Sequence, residues 1–419
     1  MGLPRRVLGL TALALLAAAC KPSRADGGKN VLTVWLAADY AGSPIFADLN
    51  REFEEAHEGV RIKLLGVPWE DMPTKVKTAI IGGKPPDIAH QHPFALGAQG
   101  FAEPLDDLWR AWGKAGEFLP GALEDATWRG RFYGLPLDIN CTVLVYNRDL
   151  YREAGLPEPG PDYSFLALQA DLGRLTAPAR QRYGIGLTTG GWHTYAWIRA
   201  NGGDLLREDE KGVRATFTDP RTVAAVRYLA DLGHKHHFGP TPTSKARDYD
   251  DATTLFAVGR VAVAYTGPWD FASIRKNAPD LRFGVARFPA GLDGVRRGSV
   301  QGGGGLFVPK GAAHRELAFE WMKMATSDKY ARRLAREEGR FPVKPHQYKD
   351  PWFKQDPAVR TFIGALPSAR PFKLDAYPQA NQAFQDAVKE AFYGADPAVS
   401  LARAQKVAQL AIDAVEGGR

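Results

Sequence analysis

Tryptophans, carboxylates and one amide stand where strand-like runs end in this 419-residue chain, and they are the residues with chemistry to offer. Trp69 follows Pro68 after the run Val60–Leu65, Trp192 follows Thr188-Thr189-Gly190-Gly191, and Trp269 follows Gly267-Pro268 after Val261–Tyr265. Binding residues concentrate at loop tips, so Trp192 and Trp269 read as ligand contacts rather than core rings beneath a loop; Trp69 stands open between the two. Asp39, Asp87 and Asp270 also sit at strand ends, each weighed against the turn and N-cap duties common for Asp, and Asp87 in Pro-Pro-Asp-Ile is the most structural. Asp138 and Asn140 share the segment after Pro136; Asp138 can contact ligand or cap the chain. Arg340, in Glu338-Gly339-Arg340-Phe341-Pro342, can reach a cleft or stay solvated.

Other constellations exclude classes. His90 and His92 share one side of a strand end, and His234, His236 and His237 cluster at a helix end, where they complement its C-terminus. A zinc site needs three or four converging ligands, and the chain carries neither His-Glu-x-x-His nor a usable cysteine, so no metal is expected. Gly302 to Gly305 has the look of a phosphate-cradling loop but is followed by no Gly-Lys-Ser/Thr. No cofactor is implied. Two cysteines, Cys20 and Cys141, cannot build a disulfide scaffold. Cys141, in the strand-like Ile139-Asn140-Cys141-Thr142-Val143-Leu144, lacks an electropositive neighbour and reads as a small buried hydrophobe. With 54 basic and 47 acidic residues the net charge is +7, without a basic run, which argues against a nucleic-acid partner.

The elements that must position these residues alternate. Forty-five per cent hydrophobic and 24% charged residues mark a globular chain, and at roughly 100–200 residues per domain two or three units are expected. Val31–Leu36 reads as a strand; Ser43-Pro44 caps a helix with Ile45, Leu49 and Phe53 on one face. Val60–Leu65 returns as a strand, Asp71 caps a helix carrying Val76 and Ile80, and Pro85–Ala89 opens a third strand. This βαβαβ order predicts an α/β fold with a parallel, doubly wound sheet, in which ligands collect at the carboxyl ends of the strands. Further strands are expected at Thr142–Tyr146, Tyr183–Leu187, Val261–Tyr265, Arg282–Arg287 and Leu306–Pro309. Asp219-Pro220 caps a long helix, and others span 313–326, 383–393 and 400–415.

The N-terminus carries an export signal: Arg5 and Arg6, an apolar stretch from Val7 to Leu16, then Ala17-Ala18-Ala19 before Cys20. Residues 1–19 read as the signal peptide. The small residues before a cysteine resemble a bacterial lipobox, which implies lipidation of Cys20; Ala17 stands where Leu is commonest, and an ordinary signal peptide is the alternative. Residues 20–29, polar with Pro and paired Gly, read as a flexible tether holding an exported protein at the membrane.

Several separated motifs then fall into one order: Leu32-Thr33-Val34-Trp35; Pro86-Asp87-Ile88; Tyr133-Gly134-Leu135-Pro136 ahead of Leu144–Leu150; Asn201-Gly202-Gly203; Phe256–Ala262 with Gly267-Pro268-Trp269; and Gly303-Gly304-Gly305-Leu306 before Val308-Pro309-Lys310. Together they resemble the carbohydrate-type (family 1) extracellular solute-binding proteins of ABC importers, over nearly the whole mature chain. The resemblance implies the two-lobed periplasmic-binding-protein fold of type II, with an interlobe ligand cleft and crossing hinge segments. One lobe would take residues 30–138 and 270–325, the other 143–266 and 326–419. Hinges would lie near Asp138 to Thr142, Thr266 to Asp270, and the helix end around Thr326.

A sugar presents hydroxyls at its rim and C–H groups on its faces, so its site needs hydrogen-bonding side chains in plane and flat rings above and below. By their places in the motifs, Trp192 and Trp269 resemble the stacking aromatics of the family, and the Gly303 stretch lets backbone approach the ligand. Asn140 stands where maltodextrin-binding members carry a carboxylate, a change that bears on which sugar is preferred. The resemblance implies a non-enzymatic, monomeric receptor that hands a sugar or oligosaccharide to ABC permease subunits. Glycerol phosphodiesters or other small polyols and anions are the alternative ligands, and a glycoside-acting enzyme the alternative class.

Overall fold

Runs of β-branched and large apolar residues pair side by side, and intervening amphipathic helices cover them. The computed structural model describes residues 30–210, 212–240, 242 and 248–417. Cys20, the signal segment and the tether lie outside the described residues. Strand β1 (Asn30–Ala37) leads to helix α1 (Pro44–Ala56), strand β2 (Val60–Val67), helix α2 (Met72–Ile81) and strand β3 (Ile88–Gln91). Strands β4 (Gly134–Cys141), β5 (Val143–Asn147) and β6 (Tyr183–Ile185) follow, then helices α3 (Gly191–Ala200) and α4 (Pro220–His234). Beyond them come strand β7 (Val261–Thr266), helix α5 (Pro268–Asn277), strands β8 (Phe283–Ala286) and β9 (Val300–Phe307), and helices α6 (Arg315–Ala325) and α7 (Asp328–Glu338). Strand β10 (Arg370–Pro371) and helices α8 (Pro378–Phe392) and α9 (Pro397–Gly417) complete the main elements.

The strands form two main sheets, one per lobe. The first runs β10-β9-β3-β1-β2, with β4 on β9; the second runs β8-β5-β7-β6. β1 pairs parallel with β2 and β3, as the βαβαβ pattern predicts. The sheets as wholes are mixed: β9 runs antiparallel to β3 and β4, and β5 antiparallel to β7 and β8. Parallel pairing holds between β1, β2 and β3, between β6 and β7, and between β9 and β10.

Capping residues act largely as their types dictate. Ser43 accepts from the amide of Ile45 at the start of α1, and Asp219 from that of Arg221 at the start of α4. Asp71 occupies the N-cap of α2 but its side chain makes no capping bond. Ile45, Leu49 and Phe53 of α1 are buried in a core with Leu32, Val34, Leu306 and Trp321, the last donating from Nε1 to Asn50.

Two of the expected crossings move. The first lies between β4 and β5, around Thr142, where the chain passes from one sheet to the other. The second is not at Thr266 to Asp270, because α5 packs Phe271 and Ile274 onto Val143 and Val145 and β8 hydrogen-bonds to β5. Residues 270–286 therefore belong to the second lobe, and the crossing falls between β8 and β9. The third does not follow Thr326: α7 stays with the first lobe, burying Tyr330 and Leu334 beside α1, with Arg333 paired to Asp48. β10 returns to β9 before α8 and α9 pack on α4.

Candidate functional site

The site is organised by the bare backbone of β9. The glycines that resemble a phosphate-cradling loop form a strand, paired so that Gly302 lies opposite Asn140, Gly303 opposite Ile139 and Gly304 opposite Asp138. A Cβ on Gly302 would come within 2.5 Å of Asn140 Oδ1 and 2.9 Å of the Trp192 ring. One on Gly304 would lie 2.7 Å from His90 Nε2 and 2.9 Å from the Trp69 ring. Rings therefore rest where side chains would otherwise stand. Gly303, at φ +104°, turns instead against the β4 backbone at Asp138 and Ile139, so Gly302 and Gly304 rather than Gly303 face the aromatic residues.

Trp192 and Trp269 are not on loop tips. They occupy the first turns of α3 and α5, directly after the Gly-Gly and Gly-Pro that open those helices. Both are half-buried and meet edge-to-face, ring centroids 5.8 Å apart at 65°. Trp192 Nε1 donates to the Gln301 carbonyl at 3.1 Å, linking the second lobe to β9 of the first. Trp69, in a short 3-10 turn after β2, stands edge-on to His90 and His92 with centroids at 5.2 and 5.3 Å. The structure thus brings Trp69, Trp192, Asp138 and Asn140 together along β9, with Trp269 against Trp192.

Hydrogen bonds fix the polar groups. Asp138 Oδ1 accepts from the Gly304 amide at 3.1 Å and Oδ2 from Asn140 Nδ2 at 3.0 Å, and the Tyr40 hydroxyl also donates to this carboxylate. Burial lifts the Asp138 carboxyl to about 6, with Arg340 and the hydrogen bonds from Tyr40 and the Gly304 amide opposing the rise. Arg340 is far from solvated: it pairs with Asp39 and lies over the Tyr40 ring, 4.5 Å from its centroid. Burial works against its charge, but Tyr40, Asp39, Asp138 and Asp270 together outweigh that and hold its pKa above the usual value. Asp270 accepts from Thr266 Oγ1 at 2.5 Å. Asp87, by contrast, is structural: it accepts from the amide and hydroxyl of Thr33 and from the His314 amide.

Tyr40 is not among the residues named from sequence, and Gly302 and His90 are named there only within a glycine run and a histidine pair, without a side-chain ligand role of their own. Their signal was positional, since Tyr40 neighbours Asp39 and His90 lies near the end of β3, but nothing local tells that the His90 ring is buried against Tyr40 and Trp69. His90 is held neutral, near 3, by burial and by the positive charges of Arg340 and His92. His92 takes a different part, bonding Asp125 through Nδ1 at 2.6 Å.

Two α/β lobes joined by crossing segments, with aromatic rings and hydrogen-bonding groups from both gathered at the junction, define a clamp-type binding protein of the two-lobed periplasmic class. The chain belongs to the bacterial extracellular solute-binding protein family, whose model matches residues 37–332. A binding protein of Brucella abortus (strain 2308) is 28% identical over 371 residues, covering 86% of each chain. The maltotriose-binding protein of Pyrococcus abyssi is 24% identical over 357 residues, 82% of this chain and 73% of its own. Among solved structures, an ABC transporter solute-binding protein of Thermotoga lettingae bound with α-D-tagatose superposes with a TM-score of 0.81 at 24% identity, covering 91% of this chain and 99% of that one. The family is one of binding proteins, and no helix among the described residues is long and apolar enough to cross a membrane.

Proposed function

We propose that this protein captures a sugar or short oligosaccharide in the cleft along β9 and delivers it to the permease of an ABC importer. The observation that carries the reading is the pairing of half-buried tryptophans with bare strand backbone: Trp192 beside Gly302, Trp69 beside Gly304, and Trp269 against Trp192. Such rings suit the C–H faces of a sugar, while Asp138 and Asn140 meet its hydroxyls in plane. Charge argues for a neutral ligand over the glycerol-phosphodiester alternative. Asp39, Asp138 and Asp270 surround the single guanidinium of Arg340, so an incoming phosphate would face more carboxylate than cation.

Within this reading residues 1–19 direct export, Cys20 carries the lipid, residues 20–29 form the tether, and the receptor works as a monomer without chemistry of its own. A screen of sugars, polyols and glycerophosphates by tryptophan fluorescence and melting temperature tests it. A saccharide is expected to quench or shift the emission and raise the melting temperature, and incubation with candidate glycans to give no hydrolysis product. Trp192→Ala and Trp269→Ala are each expected to weaken the hit about tenfold or more. Wild-type affinity in both variants, or turnover of a glycan, overturns the reading.

A further inference from the structure

Two side chains beside β9 are each only 1% exposed yet have polar atoms with no partner among the described residues: His90 at both ring nitrogens, and Asn140 at Oδ1. Their placement is regular. His90 Nε2 lies against the Cβ direction of Gly304 and Asn140 Oδ1 against that of Gly302. Residues two apart on a strand share a face and stand about 6.6 Å apart. One orphaned atom therefore sits beside Trp69 and the other beside Trp192, along the same glycine strand.

Burying a polar group without a partner is destabilising, and native structures keep few such groups. The rings packed on His90 offer it no hydrogen bond among the described residues: Tyr40 and Trp69 meet it in T-shaped contacts, with centroids at 4.5 and 5.2 Å. A neutral imidazole has one nitrogen that donates and one that accepts. Asn140 has committed an N–H to Asp138 and keeps a free acceptor.

We propose, resting on the sugar-binding reading above, that His90 and Asn140 are the specificity determinants of the cleft. His90 takes a hydroxyl that both gives and receives a hydrogen bond, and Asn140 accepts from a second hydroxyl about one sugar ring away. The ligand class this selects is an uncharged saccharide bearing free hydroxyls at both places; deoxy or O-methylated analogues are rejected because the buried atoms would stay unpaired.

The test separates this role from a structural one. His90→Phe keeps a flat ring and removes both orphaned nitrogens. Calorimetric affinity for the sugar found in the screen and the melting temperature without ligand are measured for wild type, His90→Phe, His90→Gln and Asn140→Leu. His90→Phe is expected to melt at or above the wild-type temperature while binding roughly 10- to 100-fold more weakly. His90→Gln, which retains a donor and an acceptor, is expected to recover part of that loss. Asn140→Leu is expected to bind about tenfold more weakly. On wild type a monodeoxy analogue lacking the His90-facing hydroxyl is expected to bind more weakly than its parent, and on His90→Phe equally with it. Wild-type affinity in the His90 variants while wild type itself binds sugar overturns this assignment alone, as does loss of affinity that merely tracks a fall in melting temperature. Failure of wild type to bind any saccharide overturns this inference together with the function it rests on.

Discussion

At the scale of single residues, the groups beside the cleft make stability depend on pH in a direction that can be worked out. Burial opposes the charge of His92, but Asp125 more than compensates, placing the imidazole near 9 against about 6.5 in an unfolded chain. That contribution is complete below pH 6.5 and is lost as the pH climbs through 9. Asp138, near 6, and Asp375, near 7, are raised chiefly by burial, so their protonated forms favour the fold and stability falls as the pH rises from about 4 to 7. The melting temperature is therefore expected to be lower at pH 9.5 than at pH 6. Asp125→Asn should flatten the part between pH 6.5 and 9 and cost on the order of 3 kcal/mol at pH 6.5, read from denaturant titrations at the two pH values. Arg340→Met leaves Asp39, Asp138 and Asp270 facing one another; it is expected to lower stability by about 2–3 kcal/mol and to weaken ligand binding together.

At the scale of elements, β9 is the strand on which the site depends. Its glycines are needed for space: at Gly302 even a methyl group would press on Asn140 and Trp192. Gly302→Ala is expected to leave the far-ultraviolet circular dichroism unchanged and to weaken sugar binding tenfold or more, because the displaced ring, not the strand, is what changes. The first turns of α3 and α5 matter for the same reason, since they aim Trp192 and Trp269. A cap remote from the site should behave otherwise. Asp219→Ala removes the acceptor for the Arg221 amide at the start of α4 and is expected to cost about 1 kcal/mol of stability with sugar affinity unchanged. Most elements were legible from sequence, because strand runs and helix caps are local signals; Asp219 and Ser43 cap as their types dictate. The Gly302–Gly305 run was not, because glycine marks a loop unless neighbouring strands supply hydrogen bonds, and β3 and β4 are distant in sequence.

At the scale of the whole molecule, the lobes are joined by crossing chain and by direct bonds such as Trp192 to the Gln301 carbonyl. A ligand that binds both lobes stabilises the closed arrangement by its differential contacts. Sugar at 100 times its dissociation constant is expected to stabilise the fold by about 2.7 kcal/mol, and a melting temperature indifferent to saturating sugar would contradict that. The family resemblance was readable because its motifs keep their order along the chain, and the matching family model agrees with it. Which residues meet across lobes was only partly readable. Trp192, Trp269, Asp138, Asn140 and Arg340 stand out one by one in the sequence, and tertiary structure alone puts the first two in contact and sets Arg340 among carboxylates from both lobes. The crossings after β8 and after α7 were likewise decided by long-range packing, β8 on β5 and α7 on α1, which no local pattern encodes. By itself the sequence determined the α/β class and the main elements, and it pointed to aromatic and hydrogen-bonding residues for the candidate site, since these depend on residue type and short spacing. Tertiary structure decided that His90 is buried beside a strand of glycines with no partner among the described residues, because only folding sets how much water and which partners a side chain keeps.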